Sequence, residues 1–500
     1  MTKFYTFFLY LFVFASCFAQ ETSTLEQGLR STINELNDFT RIPNDALNPS
    51  DMDKNLKWLS EKFKERGFST RLIATSNIPL FFAEMGDADN QAPTILIYMH
   101  FDGQSVDPSK WDQEDPYKMV LKEKSTDKWE EIDWKYLEKE IDPDWRLFGR
   151  STSDDKGPIV MLLNAIDMLQ ADQKNIPFHL KVILDGEEEK SSKPLPQAVK
   201  DNRELLKADV LMINDGPVHP SNQPTLVYGC RGITSMSITT FGPLTPQHSG
   251  HFGNYAPNPG FRLFHLLGSM KDENGRVLIK GYYDGIELDQ ETMQVLSSVP
   301  DDIDALHKRL AINEPERVGE FYQESIQYPS LNVRGIESGW VGKKARTIVP
   351  DKATAEIDLR LVVETDGSRL KSLVKQHISN KGYYIVDSLP SLEQRMNYPL
   401  IAMVKEGSVT DAFRTDLNNP YGQWMEKVLG TTFNQEVVKI RTMGGTVPIA
   451  PFINALDIPA LIVPMVNPDN NQHSPNENLS IRQINYGLRV FYNLLSTEIN

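Results

Sequence analysis

Three consecutive glutamates, Glu187–Glu189, lie just beyond a largely apolar run at residues 180–184. A short apolar run of this kind is typical of a buried β-strand. An acidic cluster where a buried strand meets a turn costs free energy unless cations compensate its charge. Such a segment is either a solvated acidic loop or one wall of a cation-binding site, and the remaining segments decide between the two.

Two other apolar runs, also predicted as strands, are followed by histidine or aspartate side chains. Residues 94–98 run into His100 and Asp102, and residues 210–213 are followed by Asp215. Open α/β sheets place their sites at the carboxyl ends of their strands. Side chains two positions apart on an extended chain point to the same side, so Asp102 is suitably spaced to hold one ring nitrogen of a metal-binding His100. The structural alternative is a hydrogen-bonded histidine that only closes a strand.

Two loops complete the set of candidate ligands. Asp154 stands just before the helix predicted at residues 157–169, where a carboxylate either caps the helix or bridges two cations. His473 lies in a polar loop near the end of the chain. The segments together offer two histidines and three carboxylates as ligands, and Glu188 is a further carboxylate beside Glu189. Nitrogen and oxygen donors in this number are typical of a two-metal hydrolase.

The order of the predicted elements indicates two domains, since 500 residues exceed what one hydrophobic core usually supports. Continuous apolar strands that alternate with helices indicate α/β architecture, with a mostly parallel sheet and helices on both faces. From about residue 228 the strands alternate polar and apolar residues instead, as strands with one solvated face do. We therefore expect a catalytic domain at residues 20–225 and 413–500, with a smaller α+β lid domain inserted at residues 226–412.

The first nineteen residues predict export. Lys3 precedes an apolar run at residues 4–15, and Ala19 precedes a polar segment. A basic start, an apolar core too short to span a bilayer and a small residue at the end are typical of a secretory signal. We expect residues 1–19 to be removed and the protein to be periplasmic or secreted. Lipid attachment at Cys17 and an uncleaved anchor are the alternatives.

The net charge of −16 narrows the range of partners. A strongly acidic protein is repelled by nucleic acid and by anionic membrane surfaces, so we expect neither as a partner. No later apolar run reaches the roughly 18 residues of a membrane span, and we expect none in the mature chain. If Cys17 leaves with the signal, Cys230 remains alone and no internal disulfide forms.

A set of short motifs, taken in order along the chain, resembles one family. The motifs are YMHFD (98–102), GRSTSDDKG (149–157), LDGEEEKSS (184–192), IND (213–215), YGCRG (228–232), QHSG (247–250), ARTIVP (345–350), GGTVP (444–448) and QHSPNE (472–477). Together they resemble the carnosinase and carboxypeptidase G type of two-zinc metallopeptidases, which also includes aminoacylases and succinyl-diaminopimelate desuccinylase. The resemblance runs from about residue 25 to 495 and is strongest to the dipeptidase branch.

The resemblance implies a zinc-peptidase-like fold and two zinc ions per subunit, with Mn²⁺ or Co²⁺ as alternative metals. It implies that His100 and Asp215 bind one ion, that Glu189 and His473 bind the other, and that Asp154 bridges the two. The bridging aspartate of the family precedes a cis peptide bond, so we expect one after Asp154.

Further residues match groups that act on the substrate in the family. Glu188 corresponds to the general base, and Asp102 to the carboxylate that orients the metal-binding histidine. His248 corresponds to a lid histidine that, in family dimers, reaches into the partner's active site. The groups that hold the free carboxylate of the substrate correspond to Arg346, Gly445 and Thr446.

The function implied is hydrolysis of the amide bond of a dipeptide or short peptide by a homodimer. An N-acyl-amino-acid amidohydrolase with the same chemistry is one alternative, and an assay of both substrate classes separates the two. A non-catalytic binding protein on the same scaffold is a second alternative, disfavoured because all the ligand positions and the base position are filled. A two-metal phosphoesterase is a third, disfavoured because no basic cluster accompanies the ligands.

Overall fold

The computed structural model describes residues 24–86, 92–139, 141–447 and 449–499. The chain divides into two compact units. Of the described residues, unit 1 holds those up to Tyr228, Thr415–Lys439 and those from Pro451 onward, and unit 2 holds Gly229–Arg414 and Ile440–Ala450.

Unit 1 is built on a sheet to which the described residues contribute eight strands. In spatial order these are Ser69–Ile73, Leu80–Met85, His179–Asp185, Thr94–His100, Val210–Ile213, Ala460–Ile462, Thr225–Val227 and Val438–Ile440. The four strands from His179–Asp185 to Ala460–Ile462 are mutually parallel. Every residue of His179–Asp185 and Val210–Ile213 is buried. Their apolar sequences follow from this, because a parallel strand covered on both faces meets little water.

Helices cover both faces of this sheet, which confirms the predicted α/β class. The helices are 24–40, Pro49–Glu65, Lys156–Ala171, Leu195–Asp201, Arg203–Leu206, Pro420–Phe433, Ala450–Leu456 and Ile481–Ser496. The last helix packs against Lys156–Ala171 through its apolar stripe. Its N-cap is Ser480, whose hydroxyl accepts a hydrogen bond from Gln483 N at 3.2 Å.

A smaller antiparallel sheet in unit 1 brings two loops to one place. Its strands, in spatial order, are Asn478–Ser480, Arg146–Phe148, Val120–Ser125 and Lys128–Glu131. Asn478 pairs with Phe148, so the chain enters the first strand at the end where it leaves the second. The loop before Asn478 and the loop after Phe148 therefore start from the same end of this sheet.

Unit 2 has a sheet of mixed type with helices packed on it. Its strands, in spatial order, are Ser330–Glu337, Lys352–Leu361, Gly232–Phe241, Ile401–Thr410 and Tyr384–Val386. The helices are Ser249–Phe252, Pro259–Gly268, Gln290–Ser298, Ile303–Leu310, Tyr322–Ser325, Gly367–Asn380 and Leu392–Asn397. Burial alternates along Lys352–Leu361, as its alternating sequence predicts.

Residues 440–450 differ from the expected domain division, which placed them in the catalytic domain. The range Ile440–Ala450 is grouped with unit 2, and the side chains of Arg441 and Thr446 bond to residues of that unit. Arg441 Nη1 donates to Gln327 Oε1 at 2.6 Å. Thr446 Oγ1 donates to the carbonyl oxygen of Arg231 at 2.6 Å and accepts from Arg360 Nη1 at 2.9 Å.

Candidate metal centre

The five candidate ligands come from the ends of elements in unit 1. His100 ends the strand Thr94–His100, and Asp215 follows Val210–Ile213 by two residues. Glu189 lies in the 3₁₀ turn Glu188–Lys190, just beyond the strand His179–Asp185. These three strands are parallel neighbours, so their carboxyl ends meet at one edge of the sheet.

Asp154 and His473 reach this edge from the two loops of the smaller sheet. The ligand atoms form two groups, each with its atoms within 4.8 Å of one another. The first group is His100, Asp154 and Asp215, and the second is Asp154, Glu189 and His473. Asp154 is the member that the two groups share.

The two oxygens of Asp154 face different histidines. Oδ1 lies 2.8 Å from His100 Nε2, and Oδ2 lies 3.1 Å from His473 Nε2. The same His473 nitrogen is 3.2 Å from Glu189 Oε2. The peptide bond after Asp154 is cis, as the resemblance led us to expect.

Asp102 joins His100 to the turn that carries the two glutamates. Its Oδ1 accepts a hydrogen bond from Glu188 N and its Oδ2 accepts one from Glu189 N, both at 3.1 Å. Oδ1 also lies 3.4 Å from His100 Nδ1. Asp102 thus orients the histidine ring through its carboxylate and its main-chain oxygen, which lies 3.2 Å from Nδ1, and its carboxylate fixes the turn beside it.

The two histidines and Asp154 each favour the charged form of the other. Burial would lower the pKa of His100, but its hydrogen bonds with Asp102 and Asp154 raise this pKa well above its usual value. Burial would raise the pKa of Asp154, but the two neighbouring histidines hold this pKa below its usual value. The Asp154 carboxylate raises the pKa of His473 to about 8.

Three carboxyl groups of the centre, those of Glu188, Glu189 and Asp215, resist ionisation. Burial, reinforced by the Asp154 charge, raises the pKa of Glu189 to about 7 and that of Asp215 to about 6. The pKa of Glu188 is raised well above its usual value by burial and by the charges of Asp215 and Asp154. The centre therefore concentrates acidic groups that a nearby cation would allow to ionise.

The residues present fit divalent metal ions. Asp154 Oδ2 is buried and receives no hydrogen bond of normal geometry from the described residues, although His473 Nε2 is close to it. Buried polar atoms without a partner are rare and call for an explanation such as a missing ion. Imidazole nitrogens and carboxylate oxygens are the donors that zinc takes in catalytic sites.

Glu477 and Arg150 also belong to this region, and no role was predicted for either residue from the sequence. Arg150 Nη1 donates to Glu477 Oε2 at 2.7 Å, and both side chains are buried. Both residues lie inside quoted motifs, GRSTSDDKG and QHSPNE, next to predicted ligands. Their position in these motifs is a sequence signal that could have identified them. A second is that a buried charge needs an oppositely charged partner, which each provides for the other.

The substrate-binding candidates are in unit 2. His248 is exposed, and its Nδ1 accepts a hydrogen bond from Gly250 N at 3.0 Å. Arg346 is exposed and holds its guanidinium 4.9 Å from the centre of the Trp340 ring. Gly445 is exposed and Thr446 is half-buried.

The predicted signal at residues 1–19, with Cys17, lies outside the described residues. Among the residues that the structure does describe, none of the helices combines the length and the apolar character that a bilayer span requires.

Two curated relatives match most of the chain. Cys-Gly metallodipeptidase DUG1 of Saccharomyces cerevisiae is 24% identical over 501 residues, which cover 94% of this chain and 95% of that protein. Beta-Ala-His dipeptidase of Mus musculus is 26% identical over 422 residues, which cover 83% of this chain and 78% of that protein.

Solved structures share the fold. The M20 family metallo-carboxypeptidase Sso-CP2 from Sulfolobus solfataricus matches with a TM-score of 0.73 and 25% identity, covering 93% of this chain and 98% of that chain. Human carnosine dipeptidase 1 matches with a TM-score of 0.71 and 22% identity, covering 95% and 98%. The family model described as peptidase family M20/M25/M40 matches residues 96–497, and this chain belongs to that family.

Proposed function

We propose that this protein hydrolyses the peptide bond of dipeptides or short peptides at a centre of two zinc ions, with Mn²⁺ or Co²⁺ as alternatives. The observation that carries the proposal is the pair of three-residue ligand groups that share Asp154. His100 and Asp215 would hold one ion, and Glu189 and His473 the other. When bound, zinc polarises a carbonyl group and lowers the pKa of water.

Glu188 is the proposed general base. Its main chain is held beside the ligands by Asp102, and burial raises the pKa of its carboxyl group. A carboxylate with a raised pKa accepts a proton from water more readily than an ordinary one does. Glu188 would take this proton and then deliver it to the leaving amine.

The unit 2 residues would bind the substrate. A guanidinium can hold a carboxylate through two parallel hydrogen bonds, so Arg346, with Gly445 and Thr446, is assigned to the free carboxylate of the peptide. We propose that two copies pair, so that the partner subunit's His248 donates a hydrogen bond to the oxyanion of the transition state. The exposed position of His248 leaves it accessible for this role.

The relatives suggest which substrates to test first. They are named for Cys-Gly and β-Ala-His, and these two dipeptides should head a panel that also contains N-acyl amino acids. The purified protein, stripped with a chelator, is assayed with Zn²⁺, Mn²⁺ or Co²⁺ added back. We expect metal-dependent cleavage of dipeptides and slower cleavage of N-acyl amino acids. Cleavage of the N-acyl compounds alone, or full activity without metal, would contradict the proposal.

We also propose that the protein is exported with removal of residues 1–19. N-terminal sequencing of the protein from its native cells should read from about Gln20. An intact Met1 would contradict the proposal.

A further inference from the structure

Glu477 occupies a buried position between the two loops that carry Asp154 and His473. Its side chain has no measurable exposure. Glu477 lies four residues after His473 and directly before the strand Asn478–Ser480. Its carbonyl oxygen accepts a hydrogen bond from Gly149 N at 3.0 Å, at the start of the other loop.

The carboxylate of Glu477 accepts hydrogen bonds from most of the loop at residues 150–154. Oε1 accepts from Ser153 N at 3.0 Å, from Ser153 Oγ at 2.9 Å and from Asp154 N at 3.0 Å. Oε2 accepts from Ser151 N at 2.9 Å and from Arg150 Nη1 at 2.7 Å. Three of the five donors are main-chain groups, so the carboxylate fixes the path of the loop itself.

Arg150 extends this link to the residue after His473. Its Nη2 donates to Ser474 O at 3.4 Å, and its guanidinium lies 5.3 Å from the centre of the Trp111 ring. The ion pair neutralises the buried carboxylate, which makes its burial tolerable. The His473 loop and the Asp154 loop are therefore tied together through one buried pair of charges.

We propose that Glu477 is a positioning residue that sets the distance between Asp154 and His473, and thereby the affinity of the second ligand group for its metal ion. A charged acceptor is needed because a glutamine amide would turn an N–H group toward one of the two sets of donors. Metal affinity depends on this because ligands held in place lose less freedom when they bind.

The test compares zinc affinity in the full-length mature protein. Glu477→Gln is expected to bind zinc about 10- to 100-fold more weakly at one of its two sites, measured by competition with a fluorescent chelator. The matched control is Glu35→Gln. Glu35 is also a largely buried carboxylate, and it accepts from Arg66 Nη2 at 2.9 Å and from Asn164 Nδ2 at 2.7 Å. Its loss is expected to lower Tm and leave zinc affinity unchanged.

The inference rests on the proposed metal centre. Measuring the wild-type protein beside Glu477→Gln distinguishes a failure of the proposed function from a failure of the positioning role. If the wild-type protein binds none of Zn²⁺, Mn²⁺ and Co²⁺, the proposed function falls. If the wild-type protein binds two ions and Glu477→Gln binds both equally well, the positioning role is overturned and Glu477 serves stability alone. Glu477→Asp keeps the charge beside Arg150 and serves in its place if the glutamine variant does not fold. Its shorter side chain should also weaken one site, and an unchanged affinity in this variant would overturn the inference equally.

Discussion

The carboxylates of Glu187, Glu188 and Glu189 have different surroundings, and we assign them different roles for this reason. Glu189 Oε2 accepts a hydrogen bond from Gln104 Nε2 at 2.7 Å and faces His473. Glu187 instead accepts from Asn77 Nδ2 at 2.6 Å and from Ile78 N at 3.3 Å. Glu188, between them, is the carboxylate assigned to proton transfer.

Glu188→Gln should therefore keep two metal ions and lower kcat by at least about a hundredfold, the usual contribution of a general base. Steady-state kinetics on a dipeptide and metal analysis of the same sample measure both quantities. Glu187→Gln is the control and should keep most of the activity. Near-normal turnover by Glu188→Gln would assign the proton transfer to another group.

The pKa shifts of three residues predict how the metal-free protein responds to pH. Glu189, Asp215 and His473 have folded-state pKa values of about 7, about 6 and about 8, all above their usual values. These three groups therefore bind more protons in the folded state than in the unfolded state between about pH 4 and about pH 8. The free energy of unfolding should fall as pH rises through this window. The lowered pKa of Asp154 acts in the opposite sense, but only at more acidic pH.

Thermal unfolding of chelator-treated protein at about pH 5, 6.5 and 8 measures this effect. We expect Tm to fall with pH, and Glu189→Gln to reduce the fall because it removes one of the three groups. Saturating zinc should also reduce it, since bound cations favour the ionised carboxylates. A metal-free Tm that stays constant or rises from pH 5 to 8, with no difference in Glu189→Gln, would show that these groups do not titrate as described.

At the scale of elements, the helix Lys156–Ala171 begins against the loop that carries Asp154. A Cβ atom on Gly157 would lie 2.2 Å from Thr152 O, a main-chain atom of that loop. Gly157→Ala should therefore move the loop, destabilise the fold by about 1–3 kcal/mol and weaken zinc binding. Denaturant unfolding and zinc titration measure the two effects.

Gly268→Ala is the matched control for this prediction. Gly268 is exposed at the end of a helix, and an added Cβ would meet nothing within 4 Å. Its substitution should change the free energy of unfolding by less than about 0.5 kcal/mol. If Gly157→Ala behaves like this control, the helix start does not constrain the ligand loop.

Some helices and strands could be predicted because the residue patterns that indicate them lie within the element itself. The helix Ile481–Ser496 shows one apolar stripe and a serine cap, and the buried parallel strands are short apolar runs. Glu477 could not be assigned in the same way. Its role depends on hydrogen bonds to residues more than 300 positions earlier in the chain, and no local pattern reports them.

At the scale of the whole molecule, the unit to which a segment belongs also depends on contacts with residues distant in sequence. The range Ile440–Ala450 is grouped with unit 2, although the sequence predicted it in the catalytic domain. Arg441 bonds to Gln327, and Thr446 bonds to Arg231 and Arg360. The sequence predicts an inserted domain that begins near residue 228, because alternating strands replace continuous apolar ones there.

The proposed homodimer needs a surface between subunits, and we place that surface on unit 2. Large apolar side chains are exposed on it, among them Tyr255 at 87%, Val341 at 85% and Phe261 at 65%. Exposed apolar side chains mark an interaction site where they form one contiguous patch. We propose that these side chains lie in the interface of the homodimer, in which the partner subunit's His248 completes each site.

Mixing two inactive variants tests this arrangement. Subunits with His248→Ala and subunits with Glu188→Gln, allowed to exchange in equal amounts, should regain up to about a quarter of wild-type activity, because half of the dimers are mixed and each contains one complete site. A mixture of His248→Ala with His248→Gln subunits is the control and should stay inactive. Verified mixed dimers that remain inactive would place the action of His248 within its own subunit.

The central claim is that five side chains from distant segments hold two metal ions together. Anomalous diffraction at the zinc edge, on crystals of the zinc-loaded protein, tests it most directly. We expect two peaks per subunit, roughly 3.5–4 Å apart, with Asp154 bonded to both ions. His100 and Asp215 should contact one peak, and Glu189 and His473 the other. A single peak, or peaks remote from these five residues, would contradict the account.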